Sequence, residues 1–264
     1  MSDTLEIIHR DEHLIAIHKP SGLLVHRTVL DRHETRFAVQ LLRDQIGQYV
    51  HPVHRLDRGT SGVLLFALDK EIGKQVSAQF EAQQVDKTYF AVVRGHPPES
   101  GIIEHSLSRQ FDDYEFRSLS ATSEAQPALT HYRRLATVEL PHQVDIYPTS
   151  RYALLELKPQ TGRRHQLRRH LKHLAHPIIG DATYGKGRHN RFFQERFGCR
   201  RMLLACLAMR LIHPVSGLPL QLFAPPAEDF SVVVDRLGWA GSAARHDTAG
   251  SSVSVALAMP GCCE

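Results

Sequence analysis

The sequence predicts an α+β fold on three grounds. Short strand-like runs recur along the 264 residues, amphipathic helical runs are interspersed among them, and the two do not alternate with the regular period of βαβ units. In chain order, Leu5–His9 and Leu14–His18 read as two short strands, broken by Arg10-Asp11-Glu12 and closed by the turn formers Lys19-Pro20-Ser21-Gly22. Thr35–Ile46 places Phe37, Leu41, Leu42 and Ile46 at helical spacing. Val63-Leu64-Leu65-Phe66-Ala67-Leu68 is a continuous apolar run, the pattern of a buried strand. Ile72–Phe80 is a second amphipathic helix, and Lys87–Gly95 a strand ended by a glycine.

From Pro97 to Gln126 the chain turns polar, with Pro97-Pro98, Asp112-Asp113 and Ser118 to Ser123, which predicts an excursion or flexible loop containing a weak hairpin. Strand pattern returns over Leu129–Leu140 and Tyr152–Leu157. Arg163–Ala175 carries Leu167, Leu171 and Leu174 on one side of a basic amphipathic helix. Met202–Ile212 and Leu218–Phe223 form a hairpin around His213-Pro214-Val215-Ser216-Gly217. After Trp239 the chain is dominated by Ala, Ser and Gly, so residues 1–239 are expected to form one domain and residues 240–264 a disordered tail.

Composition narrows the class. At 42% hydrophobic and 23% charged the chain is ordinary globular protein. No apolar run approaches the ~20 residues that cross a bilayer, and the opening Met1-Ser2-Asp3-Thr4-Leu5-Glu6 lacks the basic-then-apolar order of a signal peptide. Cys199, Cys206, Cys262 and Cys263 show no C-x-x-C spacing, so neither a zinc site nor a disulfide framework is expected, and a cytoplasmic location is.

The net charge of +4 hides an asymmetry. Residues 151–210 carry 14 of the 32 Lys and Arg against 3 of the 28 Asp and Glu, a net of +11, while the rest of the chain, 18 against 25, comes to −7. A basic segment on an otherwise acidic chain is the footprint of a polyanionic partner, with nucleic acid first. Arginine outnumbers lysine 25 to 7, which suits phosphate forks and base stacking.

His54-Arg55-Leu56-Asp57-Arg58-Gly59-Thr60-Ser61-Gly62 sets one carboxylate among three cationic or potentially cationic side chains, on a loop that enters the buried strand. Opposite charge favours an ionised carboxylate, which suits a nucleophile or an electrostatic stabiliser better than a proton donor. A salt-bridged turn is built from the same residues, so the segment alone fits both readings equally.

Several familiar patterns fail on inspection. Gly180 to Gly187 has P-loop spacing but ends in glycine where Ser or Thr must hold magnesium, so it is taken as a turn. Gly59-Thr60-Ser61-Gly62 misses the nucleophile elbow by one residue. His165, His170, His173 and His176 lie among cations with no carboxylate between them, which suits structural or RNA-facing histidines better than a metal site. No second carboxylate of matching character accompanies Asp57, which weakens glycoside hydrolysis with its acid and base pair.

Three stretches together carry a resemblance. They are His54-Arg55-Leu56-Asp57 with Thr60-Ser61-Gly62, then Lys87, Tyr89, Ala91, Val93 and Gly95 in alternation, then Leu157, Pro159, Thr161-Gly162-Arg163, and His165-Gln166-Leu167-Arg168. In this order and separation they resemble the RluA-like group of pseudouridine synthases, and Lys19-Pro20-Ser21-Gly22 and His176-Pro177-Ile178-Ile179-Gly180-Asp181 agree as well. The likeness covers roughly the first 240 residues. One departure stands out: where the group commonly has Leu-His-Ala late in the fold, this chain has Leu204-Ala205-Cys206.

The resemblance implies a mixed, mainly antiparallel central sheet with flanking helices and loops, and an enzyme that detaches a uracil from its ribose and rejoins it through carbon. It implies that Asp57 is the catalytic carboxylate, either adding to C1′ or drawing off the C2′ proton. Arg168 would pair with Asp57, and Tyr89 would stack on the uracil and manage the C5 proton. Arg55 is expected to fill the stack left by the extruded base, Arg58 to hold a nearby phosphate, and Arg163, Arg164, Arg169 and Lys172 to track the RNA backbone. The expected substrate is tRNA at uridine 65, with 23S rRNA as the alternative and a non-catalytic RNA-binding or chaperone protein as the reading from another class. No metal, cofactor, membrane or obligatory protein partner is expected, and the chain is expected to be a monomer.

Overall fold

Asp11 organises the first turn: its Oδ1 accepts from the backbone N–H of His13 and Leu14 at 2.8 and 2.7 Å, which closes the hairpin of β1 (Glu6–Arg10) and β2 (Leu14–Lys19). The structure, a computed structural model, describes residues 4–27, 34–108 and 124–241. The chain continues through α1 (Ala38–Ile46), β3 (His51–Pro52), β4 (Ser61–Ala67), α2 (Lys70–Glu81), β5 (Asp86–Arg94), β6 (Ser100–Glu104), β7 (Leu107–Ser108) and β8 (Ala125–Gln126). It ends with β9 (Leu129–Leu140), β10 (Ser150–Pro159), α3 (Gln166–His173), α4 (Gly187–Phe197), β11 (Leu204–Ile212), β12 (Pro219–Phe223) and α5 (Glu228–Arg236). Asp69 starts α2 by accepting from the N–H groups of Glu71 and Ile72.

Ten strands form one mixed sheet in the order β1-β2-β4-β11-β5-β10-β9-β6, with β12 on β11 and β3 on β4. Every pairing in it is antiparallel except β4 with β11, where Ser61 and Gly62 lie beside Ala205 and Cys206. This is the α+β fold with a mainly antiparallel central sheet that the sequence and its resemblance led to expect. Both sheet faces are covered, which explains the unbroken apolar runs of β4 and β5. Along β5, Tyr89, Ala91 and Val93 enter the core beneath α1, α2 and α3, while Phe90 and Val92 enter a second core with Phe193 of α4 and Phe230 of α5.

The structure adds to several sequence readings. The polar excursion from residue 97 supplies β6, an edge strand of the main sheet, and the β7–β8 pair; residues 109–123 and 242–264, including most of the expected tail, lie outside the described residues. The helix expected over Arg163–Ala175 begins only at Gln166, because Arg163 to His165 form a turn ahead of it. No helical pattern in the sequence pointed to α4. Its buried positions are His189, Phe193 and Phe197, so one residue of the stripe is a polar type.

Candidate active site

The loop between β3 and β4 carries Asp57, and the loop after β2 clamps it in place. Gly22 N–H donates to the Arg58 carbonyl at 2.8 Å, Ser21 Oγ donates to the Gly59 carbonyl at 2.8 Å, and Thr60 N–H closes a turn onto the Asp57 carbonyl at 3.0 Å. Lys19, fully buried, donates from Nζ to the carbonyls of Pro20, Leu23 and Arg58 at 2.9, 2.7 and 3.2 Å. Burial, with Arg201 nearby, pulls its pKa down to about 7. Three carbonyl acceptors match the three N–H donors of an ammonium, so the hydrogen bonds favour the charged form. The sequence placed Lys19 in a turn and in a stretch that shares the family resemblance, with no role of its own.

The expected cationic neighbourhood of Asp57 needs correction. His54 is neutral: its Nε2 accepts from Leu65 N–H at 3.0 Å, its ring stacks on Phe80, and burial lowers its pKa to about 3. Arg58 turns away to pair with Glu34 and donates to the Gly22 carbonyl. The counter-ion comes instead from 111 residues along the chain, where Arg168 Nη1 donates to Asp57 Oδ2 at 3.0 Å. Arg168 lies on α3, whose start is fixed by Gln166: the Gln166 side chain accepts from Thr161 Oγ1 and Arg163 N–H and donates to Leu129 and Thr130 of β9.

A second carboxylate is present after all. Asp181 binds Arg168 with both oxygens, at 2.7 Å to Nε and 2.9 Å to Nη2, and also accepts from the N–H groups of Thr183 and Tyr184. Burial would raise its pKa, but the guanidinium and these N–H groups hold it below the usual carboxylate range. Its side chain is 0% exposed, so it cannot face a ligand as a second acid or base. Burial acts against the charge on Arg168, and its hydrogen bonds and attraction to Asp181 and Asp57 outweigh that, locking the guanidinium positive. The Arg168 guanidinium also lies over the Tyr184 ring, 5.0 Å from its centroid.

Tyr89 projects from β5 into the same place. Its hydroxyl is kept protonated by burial first, and then by Cys206 and the charge of Asp57. Cys206 is its cross-strand partner on β11, and burial pushes that thiol up to about 12. Ala205, where the group commonly has His, points to the opposite sheet face, into the core with Phe90 and Tyr152. The departure therefore lies away from Asp57.

Two cavities meet at Asp57. The smaller, about 440 Å³, is floored by Tyr89 and Lys87 and walled by Asp57, Arg163 and Arg168. The larger, about 1030 Å³, includes Arg58, Asp181 and Arg200 in its lining. Arg55, Asp57, Arg164, His165 and Arg168 line both. Asp57, Tyr89, Arg168, Arg55, Arg163 and Arg164 thus line these two adjoining spaces, and Arg58 lines the larger one. Arg169 and Lys172 line neither cavity; Arg169 binds Ser108 through its carbonyl and hydroxyl, and Lys172 lies over Tyr184. The histidines each have a partner of their own: His165 with Tyr184, His170 with Thr130 and the His105 carbonyl, His173 stacked on His105, and His176 with the Arg94 carbonyl. Among the described residues, no three His, Cys, Asp or Glu side chains converge to hold a metal, and no helix is long and apolar enough to cross a membrane.

Residues 13–173, which contain Asp57, Tyr89 and Arg168, match the RNA pseudouridylate synthase family. This chain belongs to that family. Among its relatives, the tRNA pseudouridine synthase C of Pectobacterium carotovorum is 52% identical over 237 residues, 90% of this chain and 63% of that protein. The chain thus spans under two thirds of the length of that relative. The tRNA pseudouridine synthase C of Vibrio vulnificus is 48% identical over 235 residues, covering 89% of this chain and 96% of that one. Among solved structures, Human RNA Pseudouridylate Synthase Domain Containing 4 superimposes with a TM-score of 0.65 at 29% identity, over 88% of this chain and 93% of that one. Pseudouridylate synthases are isomerases, and the pair of Asp57 and Arg168 lies within the segment that matches the family.

Proposed function

We propose that this chain is a tRNA pseudouridine synthase that isomerises a single uridine, at position 65, with residues 1–239 as its catalytic domain. The observation that carries this reading is the pairing of Asp57 with Arg168 directly beside Tyr89, three groups drawn from distant parts of the chain to one cavity. The tRNA substrate is taken from the names of the relatives.

Pseudouridine formation breaks the N1–C1′ bond and joins C5 to C1′; C5 loses a proton and N1 gains one, so the atoms balance with no water added. One carboxylate is enough for this, where a hydrolase needs an acid and a base. Arg168 holds Asp57 through Oδ2 and so fixes which oxygen faces the substrate. Either Asp57 adds to C1′, or it takes the C2′ proton and leaves a glycal. Tyr89 offers a flat neutral ring for the uracil, and its hydroxyl is placed to handle the C5 proton. A stacked uridine must first be extruded, at a cost of a few kcal/mol. Arg55, exposed at the meeting of the two cavities, fills the vacated stack. Arg58 holds a nearby phosphate, and Arg163, Arg164, Arg169 and Lys172 follow the RNA backbone, which makes binding salt-sensitive. The protein works in the cytoplasm as a monomer, without metal or cofactor.

The test is turnover of tRNA by purified wild type and Asp57→Ala, with RNA binding measured beside it. Loss of pseudouridine with binding intact is expected, and loss of both points to a structural Asp57. A pseudouridine map of a deletion strain checks the substrate: a site lost from 23S rRNA with tRNA intact refutes the tRNA reading. Binding without turnover by the wild type leaves an RNA-binding protein only. Activity that disappears with EDTA and returns with zinc refutes the metal-free reading.

A further inference from the structure

Asp57 presents its two oxygens to different partners. Oδ2 accepts from Arg168, while Oδ1 faces His165 Nε2 across 3.9 Å, too far for a hydrogen bond between them. Among the described residues no donor occupies Oδ1. A hydroxyl oxygen seated about 2.8 Å from each atom bridges this gap. A hydroxyl is also the chemistry that fits it, because it can donate to the carboxylate and accept from an imidazole N–H at once.

His165 is held for such a contact. It is the residue just before α3 and adopts φ 53°, ψ 26°, the left-handed region that side chains other than Gly rarely enter. Its imidazole does not cap the helix; Nδ1 lies 3.1 Å from the Tyr184 hydroxyl, and the two rings meet edge to face. With Tyr184 O–H donating to Nδ1, the neutral ring carries its proton on Nε2, aimed at Asp57. Burial keeps that ring neutral, aided by Arg168 and Arg164 and opposed by Asp57. Tyr184 is itself fixed by Asp181, which accepts from its N–H, and by Arg168, which lies over its ring. A strained backbone retained where its surroundings over-determine it is a mark of a working position.

We infer that the ribose 2′-hydroxyl of the target nucleotide sits between His165 Nε2 and Asp57 Oδ1, and that His165 is the residue by which this site distinguishes RNA from DNA at the reacting position. The inference rests on the proposed pseudouridine synthase activity and adds its sugar specificity. O2′ is bonded to C2′ and lies two bonds from C1′. A hydroxyl held in the gap therefore brings both candidate reaction centres beside the carboxylate. It also supplies recognition that depends on the sugar and not on the base.

The test pairs the full-length protein with two tRNA substrates that differ only in the sugar of the target uridine, ribose or 2′-deoxyribose. Wild type is expected to lose at least tenfold in kcat/KM on the deoxy substrate, the size of one good hydrogen bond to a charged partner. In His165→Ala, activity on the ribose substrate drops and the ribose-to-deoxy ratio shrinks to within about threefold. Tyr184→Phe, which keeps the imidazole but frees its orientation, gives an intermediate ratio. His165→Gln, which retains an N–H donor, restores part of the discrimination and serves if the alanine variant fails to fold. An unchanged ratio in folded His165→Ala or His165→Gln, or equal turnover of both substrates by wild type, overturns the inference while leaving the activity standing. No turnover of all-ribose RNA by wild type overturns the activity as well.

Discussion

Asp181 grips Arg168 through two hydrogen bonds, of 2.7 and 2.9 Å, and leaves only Nη1 of the guanidinium to reach Asp57 at 3.0 Å. Arg168 is thus oriented by a carboxylate whose side chain is fully buried, so that Nη1 points at one that is partly exposed. Asp181→Asn keeps the shape but removes the charge. We expect kcat to fall about 10- to 100-fold with the KM for tRNA nearly unchanged, as for an outer partner that orients a working group. Steady-state kinetics on the soluble variant check this, and wild-type kcat would contradict it.

The same geometry separates a working Asp57 from a salt-bridged turn. Removing Asp57 leaves Arg168 still paired with Asp181, so the cation is not stranded. Asp57→Ala should therefore unfold in urea within about 1 kcal/mol of wild type while turnover is abolished. Arg168→Ala strands the buried Asp181 carboxylate and should cost roughly 3–5 kcal/mol. If Asp57→Ala loses as much stability as Arg168→Ala, Asp57 is part of the scaffold.

Two glycines fix the backbone on which the site is built. Gly62 (φ 109°) is the second residue of β4, just after the Asp57 loop, and a Cβ there would lie 1.9 Å from the Cys206 carbonyl oxygen; at Gly180 (φ 81°), beside Asp181, it would lie 1.9 Å from that of Arg201. Neither neighbour is a flexible side chain, so Gly62→Ala and Gly180→Ala should be strongly destabilised or insoluble. Gly162→Ala meets nothing within 4 Å and serves as the control, with a melting temperature near that of wild type. A folded, active Gly62→Ala would show that β4 and β11 can part at no cost.

What could be read in the sequence divides along a physical line. The strands β4 and β5 were legible because both their faces are buried, and Asp57 stood out as a candidate through motifs that share its segment. The partners of Asp57 were not read from its surroundings. The local sequence put His54, Arg55 and Arg58 around it, yet burial neutralises His54, and Glu34 draws Arg58 off. Asp181 escaped because a carboxylate's role depends on which cation it meets, and its partner lies on another element. His165 was read only as one of several structural or RNA-facing histidines, because neither its backbone conformation nor Tyr184 is visible in a basic helical pattern. The α4 stripe was hidden by His189, a polar residue doing the work of a core side chain.

That buried histidine gives the stability of the fold a pH dependence. His189 Nδ1 lies 2.9 Å from the Tyr152 hydroxyl, its Nε2 is enclosed without a partner among the described residues, and burial, with Arg94 and Lys186 nearby, lowers its pKa to about 4. An unfolded histidine titrates near 6.5, so between pH 6.5 and 4 the unfolded chain binds the proton that the folded one refuses. The contribution of neutral His189 is therefore fully present above pH 6.5 and is lost as pH falls from there toward 4, by up to about 1.4 kcal/mol per pH unit. His54 acts in the same direction over a window that reaches down to about 3. Urea unfolding of wild type and His189→Gln at pH 7.5 and pH 4.5 tests this. Glutamine keeps an acceptor for Tyr152 but does not titrate, so the variant is expected to lose less stability on acidification; an equal loss in both proteins would exclude His189 as the source.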